Sequence, residues 1–276
     1  MCAKVSTRRA FPNERPCNKV VPMPDTGVMS NSLRAELDKV ALAHRVLEME
    51  GHGDKTLGHM SLRDPQGRGI WLKRKAISLG ETMGADDFVL LDFAGKKLAG
   101  EGETHNEWPI HTEIMRSRPE INVVAHTHPF HASIFSAIDE PLRPVAIEGG
   151  YFYPDVPRFS DSAELINTAP LGQALAAALG PAAFAILMKN HGATFAGTST
   201  EHCTVLGICL EIACRQQLAV GASGFKWSTP DDEGMRRRGP QTFHQQFVDR
   251  SWGFYCRKLA YAEGDARVPT RGFYKL

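Results

Sequence analysis

The sequence has little net charge and lacks the long apolar runs that mark membrane proteins. Its 276 residues carry 32 basic and 31 acidic side chains, which gives a formal net charge of +1. This balance argues against a general nucleic-acid or membrane-surface binder. The run of arginines at 236–238 is interpreted as a solvated patch or an inter-subunit contact. No apolar run is expected to span a bilayer or to form the core of a signal peptide.

Cysteine spacing and glycine motifs exclude further classes of protein. The six cysteines include no C-x-x-C pair and no zinc-finger spacing, and three of them fall in one predicted helix, where buried thiols are the usual explanation. Neither a G-x-G-x-x-G motif nor a Walker motif is present, so no bound nucleotide is expected. We therefore expect a protein of the reducing cytoplasm that binds neither nucleic acid nor membranes.

Periodicity predicts a flexible N-terminal arm at 1–30 and one α/β domain at 31–276 that ends in a helical extension. Ser160 or Asp161 is expected to cap a helix that ends at Gly180-Pro181. The predicted helices cover residues 31–50, 107–118, 129–137, 161–179, 200–222 and 242–262. The predicted strands cover residues 60–63, 69–72, 88–93, 123–128, 183–188 and 193–196.

The most informative feature is an apolar, β-prone stretch at 123–125 that leads into His126-Thr127-His128 and stops at Pro129. Strand side chains alternate between faces, so the two histidines point the same way at the end of the strand. Two imidazoles on one face suit a divalent metal, with Zn–N distances of about 2.0–2.1 Å. Taken alone, the pair is equally compatible with two separately hydrogen-bonded histidines.

Two further segments strengthen the hypothesis of a metal site. Asn190-His191-Gly192 follows a second apolar run at 183–188. Glu107 opens a predicted helix just upstream of the first histidine strand. Three histidines at two strand ends, with a carboxylate nearby, favour a metal site over isolated histidines.

Four segments of the chain form an ordered set of motifs. They are 58–65 (Gly-His-Met-Ser-Leu-Arg-Asp-Pro), 107–111 (Glu-Trp-Pro-Ile-His), 118–128 (Arg-Pro-Glu-Ile-Asn-Val-Val-Ala-His-Thr-His) and 189–192 (Lys-Asn-His-Gly). In order and spacing this set resembles the class II aldolase/adducin family. The resemblance implies a three-layer α/β/α sandwich around a largely antiparallel sheet, assembled as a homotetramer with active sites at subunit boundaries. It also implies that His126, His128 and His191 bind Zn²⁺ or a similar ion such as Mn²⁺. Glu107 would then serve as the catalytic acid/base and approach the metal.

The chain departs from the family's sugar-phosphate aldolases at their phosphate-binding positions. Those enzymes carry a loop of small residues and a Ser-Ser pair, where this chain has Leu57, His59 and His105. A phosphate loop needs small residues whose N–H groups approach the anion, so a phosphorylated sugar is not expected. His59, His105 and Arg158 are instead predicted to bind a carboxylated small molecule, which arginine grips bidentately. His105 is equally compatible with a loop role, and Arg158 with a subunit interface.

Two reactions could use the same metal site and acid/base, and a third hypothesis assigns the protein no catalytic activity. We favour a metal-dependent carbon–carbon lyase that decarboxylates a hydroxylated aromatic or heteroaromatic carboxylate, because the motif context resembles the family's decarboxylase of a hydroxylated pyridine dicarboxylate. Aldol cleavage of a non-phosphorylated hydroxy-carbonyl compound is the second hypothesis. The third is a non-catalytic, adducin-like assembly module, which would be expected to lack the metal ligands that this chain has. The sequence leaves the substrate and the choice of metal open.

Overall fold

A computed structural model describes residues 29–162 and 164–264 of the chain. The predicted arm at 1–30 lies almost wholly outside these residues, so the division into arm and domain stays a prediction. The helices of the described part are α1 (Asn31–Leu47), α2 (Trp108–Ser117), α3 (Phe130–Ser136), α4 (Ala169–Leu179), α5 (Thr200–Ala222), α6 (Asp232–Thr242) and α7 (Gln245–Ala262). Its strands are β1 (His59–Arg63), β2 (Ile70–Lys73), β3 (Phe88–Leu91), β4 (Lys97–Ala99), β5 (Val123–Thr127), β6 (Arg158–Phe159), β7 (Ala185–Met188) and β8 (Gly192–Gly197).

The strands form one sheet in the order β4-β3-β2-β1-β5-β8-β7-β6. Every neighbouring pair is antiparallel except β6 and β7, which run parallel. The register places His126 of β5 opposite His59 of β1 on one side and opposite Thr194 of β8 on the other. The histidine strand is therefore central in the sheet, and its backbone is hydrogen-bonded along both edges.

Alternation along the strands builds two cores, one on each face of the sheet. Val123 and Ala125 pack into a core with α1, α3, α5 and α7. Val124 packs into the other core, beneath α2 and α4. The predicted three-layer α/β/α sandwich around a largely antiparallel sheet is thereby confirmed. His126 has the same parity as Val124, so its side chain lies on the face that α2 covers.

The end of α1 directs the chain toward the histidine strand. Ser30 begins the helix, and its hydroxyl accepts a hydrogen bond from the Leu33 N–H at 3.2 Å. The helix ends in a π-helical turn at Glu48–His52, within which Gly51 adopts a φ of +87°. A Cβ at Gly53 would lie 2.5 Å from the carboxyl group of the exposed Glu48 side chain, which would have to move to make room for it. The loop that follows leads into β1.

Two helices differ from the sequence-based expectation. The helix predicted from Ser160 or Asp161 is wrong at its start, because α4 begins at Ala169, with a proline in its first turn. Residues 164–168 before it form bends rather than a helix, and they bury Ile166 and direct its N–H toward Glu107. The prediction also missed α6, whose polar sequence has no apolar stripe to give a helical signal.

Helix α5 bears on the expectation that no segment of the chain could span a membrane. By length and composition alone this 23-residue helix would pass as a membrane span, although none was expected from the sequence. In the structure, 61% of its apolar window is buried inside the protein, where it packs against α1, α3, α7 and β8. Its apolar character is thus explained by its place in one of the two cores.

The close approach of α5 to β8 gives a test of this packing. Replacing a helix-interior glycine by alanine ordinarily stabilises a protein by about 1 kcal/mol. At Gly207, however, the added Cβ would overlap the ring of buried Phe195. We expect Gly207→Ala to lower the free energy of unfolding by about 1–3 kcal/mol, as in an overpacked core. In the same helix, Gly221→Ala meets nothing within 4 Å and is the matched control. Equal stability of the two variants in denaturant titrations would contradict this packing.

Candidate metal centre

The histidine pair lies at the end of β5, where the strand leaves the centre of the sheet. The Nε2 atoms of His126 and His128 are 3.0 Å apart, and their ring centroids are 4.8 Å apart. Pro129 follows at once and begins the turn into α3. Both imidazoles therefore point to one side of the strand, as the sequence predicts.

His191 reaches the pair from the turn between β7 and β8. Asn190 occupies a left-handed conformation with a φ of +58°, which an asparagine tolerates better than most residues. The His191 ring lies 4.8 Å from that of His126 and 5.0 Å from that of His128, between centroids. One nitrogen from each of the three rings lies within 4.8 Å of the others. The three predicted histidines thus converge on one point, in a group able to hold a metal ion.

Hydrogen bonds behind the rings determine which nitrogens are free. Nδ1 of His126 lies 3.1 Å from the carbonyl oxygen of Ala193, which can only accept a hydrogen bond. Nδ1 therefore carries the hydrogen, and the Nε2 lone pair faces the other two rings. Burial lowers the pKa of His126 well below its ordinary value and that of His191 to about 4. Neutral imidazoles with converging lone pairs fit a divalent metal such as Zn²⁺.

Glu107 faces the histidine group from the N-terminus of α2. Its Oε2 lies 3.7 Å from Nε2 of His126, and its Oε1 lies 4.0 Å from Nε2 of His191. The side chain is 12% exposed, and Oε1 accepts a hydrogen bond from the Ile166 N–H at 3.2 Å. Burial raises the pKa of the carboxyl group, an effect that this hydrogen bond partly opposes. These distances suit either a fourth ligand or a group that exchanges protons beside the metal.

A second, fully buried group of histidines adjoins the first. His59 lies 5.4 Å from His126 and 4.4 Å from His105, measured between ring centroids. Its Nδ1 is hydrogen-bonded at 2.7 Å to Nε2 of His111, whose Nδ1 lies 2.8 Å from the Ser61 hydroxyl. Nε2 of His105 is buried without a hydrogen-bond partner among the described residues. An unpaired buried polar atom is costly, so a substrate group that bonded to it would gain free energy.

The structure does not bring Arg158 to either histidine group within one chain. Phe159, its neighbour on β6, packs beneath α4, so Arg158 faces the opposite side of the sheet. There its guanidinium lies over the Phe135 ring, 5.2 Å from the centroid, and donates a 2.6 Å hydrogen bond to the Glu140 carbonyl. A substrate contact by Arg158 stays a prediction, and these contacts would have to be exchanged to make it.

Sequence reasoning missed two contributors to the site. Asp54 Oδ2 lies 3.1 Å from Nδ1 of His128, although the two residues are 74 positions apart in the chain. The Ser61 hydroxyl supports the buried histidine group through His111. Asp54 carries no local signal, because only the pairing of β1 with β5 brings its loop to the histidines. The period-two spacing of Ser61 from His59 does place both on one face.

Comparisons with known proteins identify relatives of this chain by sequence and by fold. A family model described as the Class II Aldolase and Adducin N-terminal domain matches residues 38–218. Among curated relatives, the chain is 30% identical over 215 residues to the 3,4-dihydroxyphthalate decarboxylase of Arthrobacter keyseri, covering 68% of this chain and 79% of that protein. It is 26% identical over 208 residues to the Meiotically up-regulated gene 14 protein of Schizosaccharomyces pombe, covering 74% and 80%. Among solved structures, the L-fuculose 1-phosphate aldolase from Glaciozyma antarctica PI12 superposes with a TM-score of 0.73 at 24% identity, covering 88% and 95%. This last likeness shows the fold alone.

The contact between β8 and the end of β5 gives a test of the site geometry. A Cβ at Gly192 would lie 2.6 Å from both Cδ2 of His128 and the carbonyl oxygen of Thr127. Gly192→Ala is therefore expected to displace His128 and to weaken Zn²⁺ binding on the order of tenfold or more, measured by competition with a chelator. Gly221→Ala is again the control, and it should bind Zn²⁺ as the unaltered protein does. Unchanged affinity of Gly192→Ala would show that the position of His128 does not matter for the metal.

Proposed function

Since the chain belongs to the class II aldolase and adducin family, we propose that it is a lyase that cleaves a carbon–carbon bond with the help of a divalent metal ion. The observation that carries the proposal is the convergence of three histidine nitrogens within 4.8 Å of one another, with the Glu107 carboxylate facing them. The motif resemblance that predicted this family is confirmed by the match over residues 38–218.

His126, His128 and His191 would hold the ion, which we propose to be Zn²⁺ or Mn²⁺. When bound, such an ion acts as a Lewis acid that stabilises negative charge developing on a substrate oxygen. Burial lowers the pKa values of His126 and His191 and so favours their neutral rings, and the Nδ1 hydrogen bond orients His126. Glu107 stands at the open side of the three rings, where a fourth ligand or the substrate would bind.

Glu107 would act as the acid/base. Because burial raises its pKa, the carboxyl group holds a proton more readily than an exposed glutamate does. The Ile166 N–H anchors Oε1, which leaves Oε2 free to deliver a proton to the carbon from which a leaving group has departed, or to take a proton from a substrate hydroxyl. One carboxyl group thus suits both bond cleavage and the proton transfer that completes it.

Decarboxylation of a hydroxylated aromatic or heteroaromatic carboxylate is the reaction we propose. It is supported by the relative named as a 3,4-dihydroxyphthalate decarboxylase, which the chain matches over 79% of that protein's length. It is also supported by buried His59, whose ring lies 5.4 Å from that of His126, and by His105 beside it; these rings suit a planar carboxylate better than a bulky phosphate dianion. Arg158 would join them only if a partner subunit or a rearrangement brought it to the site.

Assembly and compartment are part of the same proposal. Helix α3, directly after the histidine strand, exposes Phe130 and Ile134 by 68% and 42%. Large exposed apolar side chains beside the site support a subunit boundary there, and we propose a homotetramer. The four cysteines of the described part are free, which fits the reducing cytoplasm. We keep the N-terminal arm at 1–30 and the domain at 31–276 as proposals.

The test of the function joins metal analysis with a substrate panel. The purified protein should contain or bind close to one divalent ion per chain, and it should release CO₂ from at least one hydroxylated aromatic or heteroaromatic carboxylate. Release of an aldehyde from a hydroxy-carbonyl compound, without CO₂ from any carboxylate, would replace decarboxylation by aldol cleavage. A protein that binds no metal and turns over nothing in the panel would support the non-catalytic, adducin-like alternative.

Substitution of Glu107 separates the acid/base from the ligands. Glu107→Gln should keep most of the metal and lose on the order of 10²–10⁴ in kcat, the usual value of a positioned proton-transfer group. His126→Ala should instead empty the site, because it removes one of three nitrogen ligands. Metal content and rate are measured on both variants. If Glu107→Gln lost its metal as completely as His126→Ala, Glu107 would be mainly a ligand and the acid/base role would fail.

A further inference from the structure

Asp54 reaches the metal site from the loop between the π-helical turn and β1. Its Oδ2 lies 3.1 Å from Nδ1 of His128, and a carboxylate ionised at neutral pH can only accept a hydrogen bond. The hydrogen must therefore sit on Nδ1, which leaves a lone pair on Nε2, the atom 3.0 Å from Nε2 of His126. We propose that Asp54 is a positioning residue that fixes the tautomer and ring orientation of His128 for metal binding. This inference rests on the proposed metal site.

The loop that carries Asp54 is held on both sides, so the contact is built into the fold. On one side, Gly53 packs against the Glu48 carboxyl group. On the other side, Nδ1 of buried His52 is hydrogen-bonded at 2.9 Å to the hydroxyl of Thr127, which lies between the two histidines of β5. The sequence from 52 to 54 is thus tied to the end of the histidine strand at two successive points.

The two histidines of β5 have partners of different charge. His126 is backed by the neutral Ala193 carbonyl, whereas His128 is backed by a carboxylate. A carboxylate behind a metal-bound imidazole fixes the ring and increases its basicity, and loss of such a partner typically weakens metal binding 10–100-fold. The ammonium of Lys55 lies 3.0 Å from Oδ1 of Asp54, the other carboxylate oxygen, so it does not displace His128 from Oδ2.

The experiment measures the dissociation constant of Zn²⁺ from the full-length protein by chelator competition. Asp54→Ala should weaken binding about 10–100-fold. Asp54→Asn should fall between Asp54→Ala and the unaltered protein, because its amide oxygen can accept the same hydrogen bond without the negative charge. The matched control is Asp86→Ala, which removes an exposed carboxylate paired with Arg34 and should change nothing. Thermal unfolding of the metal-free variants shows that each is folded.

A second substitution distinguishes positioning of His128 from a general anchoring of the loop. Lys55→Ala removes the other partner of Asp54 and should leave Zn²⁺ affinity within about twofold, because an exposed ion pair contributes little. With Co²⁺ in place of Zn²⁺, Asp54→Asn should shift the visible absorption bands, whereas Lys55→Ala should not.

The outcomes separate this inference from the proposed function. Unaltered protein that binds no Zn²⁺ would remove the metal site itself and therefore the function proposed above. Unaltered protein that binds Zn²⁺, with Asp54→Ala binding equally well, would overturn the role of Asp54 alone. Equal weakening by Lys55→Ala and Asp54→Ala would also overturn it, because the pair would then act only by holding the loop.

Discussion

The pairing of β5 between β1 and β8 is the constraint on which the rest of the site depends. The register places His126 opposite His59 and opposite Thr194, and so fixes both the face of β5 on which His126 lies and the position of the adjoining buried histidine. Because side chains alternate with a period of two, a slip of one residue would send His126 into the core beneath α5 and Ala125 toward α2. Val123, Val124 and Ala125 are buried in apolar cores on both faces and would tolerate the slip, so it is opposed mainly by the cost of moving the polar His126 ring into an apolar core.

The part of the site that follows local rules could be predicted from the sequence. The spacing of His126 and His128 determines their common face, and the motif set led to His191 and Glu107 as their partners. The position of Asp54 depends instead on a π-helical turn and on which strands pair. Neither can be recognised from the sequence of the neighbouring residues. The same limit explains the error at α4: the capping signal at Ser160 or Asp161 starts no helix, because residues 164–168 form bends and the Ile166 N–H bonds to Glu107.

Arg158 shows the difference between predicting the chemistry of a residue and predicting its position. A guanidinium does suit a carboxylate, and nothing in the residue's neighbours along the chain argues against that use. On β6, however, parity alone directs Arg158 to the face opposite the histidines, where Phe135 and the Glu140 carbonyl engage it. A two-residue edge strand is too short to be recognised in the sequence. The sequence therefore could not predict which face of the sheet Arg158 would occupy.

The kind of group that each of these histidines bonds to varies with how deeply the histidine is buried. His111 is fully buried and bonds to a hydroxyl and another imidazole, and His44 in the core accepts from the Met60 N–H and donates to the Val40 carbonyl. Each keeps a neutral ring, and burial lowers the pKa of both to about 3. His128, whose side chain is 14% exposed, has a carboxylate partner that is itself 28% exposed. A charged group buried as deeply as His111 would lose the free energy of its hydration without an equal gain from its contacts. Asp54 is partly exposed and keeps part of its hydration. In this group of histidines, the deeper rings have neutral partners and the more exposed His128 has a carboxylate partner that keeps part of its hydration.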